Sequence, residues 1–180
     1  NFNVASYRAR YADLRSAFGN NLKAYYDHYR INGYAEGRVA TGSTELQNPT
    51  TVYNGVDYKL VYDYNYYINK YPDIKAAFNG DENATLRHFV ECGMNEGRQG
   101  KASFNVAAYR ANYADLRSAF GRNLKAYYMH YIGSGYREGR KATGNGVLKN
   151  PVTVYNGVDY SLVYDYNYYI SKYSDLKAAF

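Results

Sequence analysis

Apolar side chains fall at Tyr7, Tyr11, Leu14 and Phe18, a spacing that keeps them on one side of a helix. Asn3 precedes this run, and Asp63, Asn105 and Asp165 fill the same slot elsewhere. All four can accept the first free N–H groups of a helix. A first helix is therefore predicted to run to about Tyr11. The slot of Ala12 holds Pro72 in a sister copy, directly before Asp73. Proline suits a helix start and not a helix middle, so the chain breaks there and restarts as a short second helix from Asp13 to Phe18. Gly19, or Asn79-Gly80 in the sister copy, ends it. A third helix is predicted from about Leu22 to Asn32, closed by Gly33, Gly93 or Gly135 as the glycine just past the helix end. On that helix Tyr26 and Tyr29 become Leu86 and Phe89, so these slots call for apolar bulk. Tyr25 and Tyr127 share a slot with Thr85, which accepts a polar residue and predicts exposure.

This three-helix pattern is a repeat. The segment Phe2–Phe78 returns at Phe104–Phe180, a shift of 102 residues. Within it, a unit of about 37 residues appears at Phe2–Arg38, Tyr62–Arg98 and Phe104–Arg140, and in cut form at Tyr164–Phe180. Each full unit ends Glu-Gly-Arg. The connections differ: 23 residues separate Arg38 from Tyr62, but only five separate Arg98 from Phe104. The long connection contains Asn54-Gly55 between β-forming residues, the signal for a type I′ hairpin, and this recurs at Thr153–Tyr160. The predicted fold is mainly α, with tandem three-helix units linked by small β-hairpins. Its expected divisions are helical units at 1–38, 62–98 and 104–140, hairpin links at 39–61 and 141–163, a short link at 99–103, and a cut unit at 164–180. Such chains present surfaces in series more often than they build one catalytic cleft.

Composition narrows the chemistry. The formal charge is +6, with Lys and Arg dispersed among Asp and Glu, so no basic run favours nucleic acid. Twenty-six tyrosines and no tryptophan supply apolar area with polar tips, useful in a core or at a contact surface. Cys92 is the only cysteine and matches Asn32 and Ser134, so neither a disulfide within the chain nor a required thiol is expected. No run of about 20 apolar residues is present, which argues against membrane insertion. The chain begins at Asn1 with no signal peptide and stops partway through a unit, which reads as a fragment of a longer repeat protein.

Candidate chemistry is sparse. His28, His88 and His130 share one slot, each alone on its helix, without the close second ligand a metal wants. The expected role is packing, with a bond inside the unit. Arg38 is expected to reach Asp13 of its own unit as a clamp, the alternative being a ligand-binding arginine. Asn79-Gly80-Asp81-Glu82-Asn83 lacks the ligand pattern of a calcium loop and reads as a helix cap. No phosphate loop, nucleophile elbow or paired-carboxylate pattern is present, so no enzyme, cofactor or metal is expected.

Surface is what remains. The first and third units share Arg8, Arg15, Lys23, Tyr25 and Tyr34, repeated as Arg110, Arg117, Lys125, Tyr127 and Tyr136, whereas the second has different residues there. Tyr and Arg are enriched at interface hot spots, so these ten are the candidate partner-binding residues. The likeness follows equally from duplication of the whole block.

The pattern Tyr-x-x-x-Tyr-x-Asp-Leu, Ala-Phe, His-Tyr and Gly-x-x-Glu-Gly-Arg, as in Tyr7–Arg38, resembles a tandem module of secreted and surface proteins of Gram-positive gut bacteria. It is similar to repeats of the Ruminococcus and Lachnospiraceae immunoglobulin-binding surface proteins, described as B-cell superantigens. The resemblance covers every unit. It implies an extracellular or cell-surface location and a host protein partner, with immunoglobulin, bound at the variable-region framework, as the best candidate. A glycan or cell-wall attachment repeat and a structural spacer are the other readings.

Overall fold

The computed structural model describes residues 1–78, 80–173 and 175–176. It is mainly helical, with two small antiparallel hairpins. Two compact parts, Asn1–Gly93 and Met94–Phe180, are taken in turn.

In the first part, α1 (Val4–Arg10) starts where the Asn3 side chain accepts the Ser6 N–H at 3.0 Å. Tyr11 is extended, with φ −112° and ψ 99°, and separates α1 from α2 (Ala12–Phe18). Gly19 ends α2 at φ +53°, a backbone conformation that favours glycine. Asn21 then caps α3 (Leu22–His28). This helix does not stop at a left-handed Gly33. It widens into a π-helical turn, Tyr29–Gly33, and the left-handed glycine is Gly37 at φ +69°. Gly33 is required for a different reason: it is buried, and a Cβ there would collide with the Tyr7 hydroxyl. Gly135 meets Tyr109 in the same way, and a Cβ on Gly93 would lie 2.6 Å from the Tyr67 hydroxyl.

The core around these helices is aromatic. Tyr7, Leu14, Tyr25 and Ala40 are buried, with Phe2, Val4, Tyr11, Phe18 and Tyr29 packed on them. The Tyr7 ring sits edge-on to Tyr11 at 5.1 Å and to Tyr29 at 5.2 Å. Such pairs add about 0.5–1.5 kcal/mol each beyond the area they bury. Tyr26, expected inside, is instead 52 % exposed, while Tyr128 at the same slot is fully buried and donates to the Arg98 carbonyl at 2.9 Å.

The long link is anchored. Gln47 N–H donates to the Ala9 carbonyl at 2.8 Å, and the Asn65 amide pairs with both the N–H and the carbonyl of Leu46, at 3.1 and 2.9 Å. The hairpin follows, with β1 (Val52–Tyr53) antiparallel to β2 (Val56–Asp57) in the register Val52↔Asp57. Asn54 and Gly55 take φ +47° and +78°, as a type I′ turn demands. Tyr53 ties the hairpin down by donating to Glu91 at 2.5 Å. A second set of helices follows: α4 (Tyr64–Lys70), α5 (Pro72–Phe78) and α6 (Glu82–His88), the last continued by the π turn Phe89–Gly93. Asp63 and Asp81 cap α4 and α6. Proline stands at the first position of α5, where its missing N–H costs nothing.

The second part repeats this plan with α7 (Val106–Asn112), α8 (Ala114–Phe120), α9 (Leu124–His130), the π turn Tyr131–Gly135, the hairpin β3 (Val154–Tyr155) and β4 (Val158–Asp159), and α10 (Tyr166–Lys172). Asn112 and Asn167 anchor its link, the latter again through both backbone groups of its leucine, Leu148. The end of the cut unit, 177–180, lies outside the described residues. Among the described residues no helix is long and apolar enough to cross a membrane.

Candidate functional site

Three polar devices organise the units. The first is the clamp expected at the Glu-Gly-Arg ending. Arg38 donates to Asp13 at 2.8 Å and to Glu36 at 2.6 Å, and its guanidinium lies 4.8 Å from the Tyr11 ring centre. Arg140 repeats this with Asp115 at 2.8 Å, Glu138 and Tyr113. At Asp13, partial burial pushes the carboxyl up, but the Arg38 hydrogen bond and charge outweigh it and hold the pKa below the usual carboxylate range. At Asp115 the Arg140 hydrogen bond is the largest cause of the same lowering.

The second device joins a histidine to the core tyrosine. Tyr7 Oη lies 2.9 Å from His28 Nδ1, Tyr109 Oη 3.0 Å from His130 Nδ1, and Tyr67 Oη 3.3 Å from His88 Nδ1. Each histidine therefore bonds inside its own unit, as expected, with a tyrosine hydroxyl as its partner. Burial pushes the Tyr7 phenol up to about 12. Among the described residues no three His, Cys, Asp or Glu side chains gather to hold a metal ion.

The third device has no counterpart in the sequence reading. Arg15 is buried, and all five of its N–H donors are used. Nε meets Glu82 at 2.8 Å, and the terminal nitrogens reach the carbonyls of Arg8, Ala9, Gln47 and Asn48 at 2.7–3.2 Å. Glu82 accepts the Thr50 N–H on its other oxygen at 2.8 Å. One sequence signal was available: the slot of Glu82 holds Leu22 and Leu124 in the other units.

These devices decide the fate of the ten candidate contact residues. Arg15 is only 4 % exposed and is a structural tie, not a partner contact. Tyr25 and Tyr127, expected outside, are both fully buried. The inference from Thr85 failed because that slot satisfies a polar group internally. Thr85 Oγ1 donates to the Asp81 carbonyl at 2.6 Å, and the Tyr25 and Tyr127 hydroxyls donate to the Gly19 and Gly121 carbonyls. Arg8 is half-buried and bound to Asn20 and to the Gly80 carbonyl, at 3.0 and 2.7 Å. Arg110 reaches only the Gly121 carbonyl, at 3.4 Å, among its described hydrogen bonds. Arg117 keeps the four carbonyl contacts of Arg15 and has no carboxylate partner among the described residues. Burial, then the nearby Arg110 charge, lowers its pKa. Lys23 is exposed and pairs with Asp27 at 2.5 Å, whereas Lys125 is half-buried and the slot of Asp27 holds Met129 in its unit.

Tyr34 and Tyr136 remain. They are 77 % and 57 % exposed, each held edge-on to a core tyrosine, Tyr29 at 6.2 Å and Tyr131 at 5.9 Å. Ile31, at 61 % exposure, adds to this surface in the first unit and was not anticipated. The ten residues thus do not form one face; Tyr34 and Tyr136 leave an exposed aromatic shoulder after the third helix. Comparison with family models, curated proteins and solved structures returned no match.

Proposed function

We propose that the chain is a non-catalytic binding module of a bacterial surface or secreted protein, contacting a host protein through the aromatic shoulder of its first and third units. The observation that supports this reading is the exposure of Tyr34 and Tyr136, each held edge-on to a tyrosine behind it. A large, stiff, amphipathic ring held against a core tyrosine loses little freedom on binding, which is why tyrosine anchors interfaces. The repeat resemblance carries the choice of immunoglobulin as first candidate. Surface plasmon resonance against polyclonal immunoglobulin tests it. The expected result is saturable binding that falls about tenfold or more in the Tyr34→Ala, Tyr136→Ala double variant, the scale of a hot-spot loss. No binding at roughly 10 μM, a level that any specific complex tighter than about −7 kcal/mol would show, rejects immunoglobulin as the partner.

A further inference from the structure

The first and third units share one frame and differ chiefly at one place. Between Phe2–Arg38 and Phe104–Arg140 eight positions differ, and five of the eight fall in the nine-residue stretch 27–35, at the end of the third helix. Exposure alone does not explain the clustering. Ala5, Ala12, Ser16, Ala17 and Lys23 are also exposed in the first unit, and all are unchanged in the third. Within the varied stretch one exposed ring is constant: Tyr34, repeated as Tyr136.

The slot of Ile31 alters the surface beside that ring most. Ile31 is exposed and lies three residues before Tyr34 on helical backbone, so the two side chains share one side. Gly133 holds the slot in the third unit and presents no side chain. A Cβ added there would meet no atom within 4 Å, so the space beside the ring is open in both units. The second unit is built differently. Its slot holds Glu91, which accepts the Tyr53 hydroxyl, and Met94 at the slot of Tyr34 is fully buried.

We propose that the slot of Ile31 decides which unit holds the host protein, a step that rests on the shoulder being the contact surface. The first unit grips with two anchors, Ile31 and Tyr34, and the third with Tyr136 alone, so the first is the tighter site. The partner surface that fits it is an apolar pocket wide enough for an aliphatic and an aromatic side chain together, with a hydrogen-bond acceptor for the phenol. A wholly polar surface would meet the Tyr34 hydroxyl but leave Ile31 in water. Aromatic anchors of this kind gain most where a neighbouring apolar group helps to exclude water.

Surface plasmon resonance on variants of the 180-residue chain tests the slot with two probes. One is polyclonal immunoglobulin; the other is a set of peptides selected on the unaltered chain from a random phage-displayed library. Burying most of an isoleucine is worth about tenfold or more in affinity. Ile31→Ser is expected to weaken the tighter binding by that much, and Tyr34→Ala by at least as much, whereas Tyr136→Ala leaves it unchanged. Gly133→Ile places the missing side chain on open helical backbone. It is expected to restore tight binding to a Tyr34→Ala chain through the third unit. Equal binding to the parent and Ile31→Ser chains overturns the proposal, as do equal losses from Tyr34→Ala and Tyr136→Ala, or a Gly133→Ile change without gain. If immunoglobulin fails to bind, that partner is rejected and the selected peptides decide the slot. Peptides that ignore Ile31 and both tyrosines, or a library that returns none, overturn the slot and the shoulder together.

Discussion

The segments around α4 and α10 are nearly the same sequence in two settings. Tyr67 is fully buried and its copy Tyr169 is 41 % exposed; Val61 is fully buried and Val163 is 84 % exposed. Both segments nevertheless form the same seven-residue helix with the same aspartate cap. Local structure is thus carried by caps and breaks within the segment, while burial is conferred by what lies over it, here α6 and its π turn. Helix existence and helix stability are separable in this chain, and most of the second comes from packing.

The sharpest way to break the comparison is to truncate the shared ring. Tyr67→Ala is expected to cost about 3–5 kcal/mol, as for other buried aromatics, and Tyr169→Ala only about 1 kcal/mol, since much of that ring is already wet. Denaturant titration of the two variants checks this, and equal losses would mean that α6 contributes little. Next in size, Glu82→Gln strands the buried Arg15 and is expected to cost about 3 kcal/mol. Arg117, already without a carboxylate, offers no equivalent loss. Gly33→Ala and Gly135→Ala probe what the two parts share. Each pushes a methyl into a tyrosine hydroxyl, and each is expected to cost about 1–3 kcal/mol, read as a lowered Tm.

The smallest effect is expected from the clamp, whose carboxylates are exposed. Arg38→Ala is worth about 0.5–1 kcal/mol. Its pH signature has a definite sign. Asp13 and Asp115 have folded pKa values below their unfolded ones, so the clamp's contribution is full above about pH 4 and is lost as pH falls through the folded values. Arg38→Ala, with Arg140→Ala, should flatten the acid limb of a stability curve. At the other extreme, Tyr7 titrates near 12 in the fold against about 10 in a free chain. Stability that depends on its neutral phenol is therefore intact below about pH 10 and lost as pH rises toward 12.

Much of this was legible from sister residues. Pro72 at the slot of Ala12 located the break between the first two helices, Asn54-Gly55 gave the hairpin turn, and the shared Asp and Arg gave the clamp. The misses at Gly33 and Arg15 depend on partners far away in sequence. Gly33 looked like a helix stop because its neighbour across the fold, the Tyr7 hydroxyl, is 26 residues away. Tyr25 looked exposed because substitution by threonine reports polarity, and polarity can be satisfied by a carbonyl one turn back. Arg15 looked like surface because Glu82 sits in a neighbouring unit and belongs to no repeated pattern.

The anchoring of the long link has a mechanical consequence. Twenty-three residues, in which only the short hairpin is regular, would span about 76–83 Å if drawn out, at about 3.3–3.6 Å per residue. That slack is folded away by fastenings along its length, among them the Asn65 amide on Leu46, the Ala9 carbonyl on Gln47, the Arg15 fork on Gln47 and Asn48, Glu82 on Thr50 and Glu91 on Tyr53. Under tension the link behaves as a short stiff joint until those fastenings yield. It then gives up its hidden length, and the first unit loses the buried Ala40 from its core along with it.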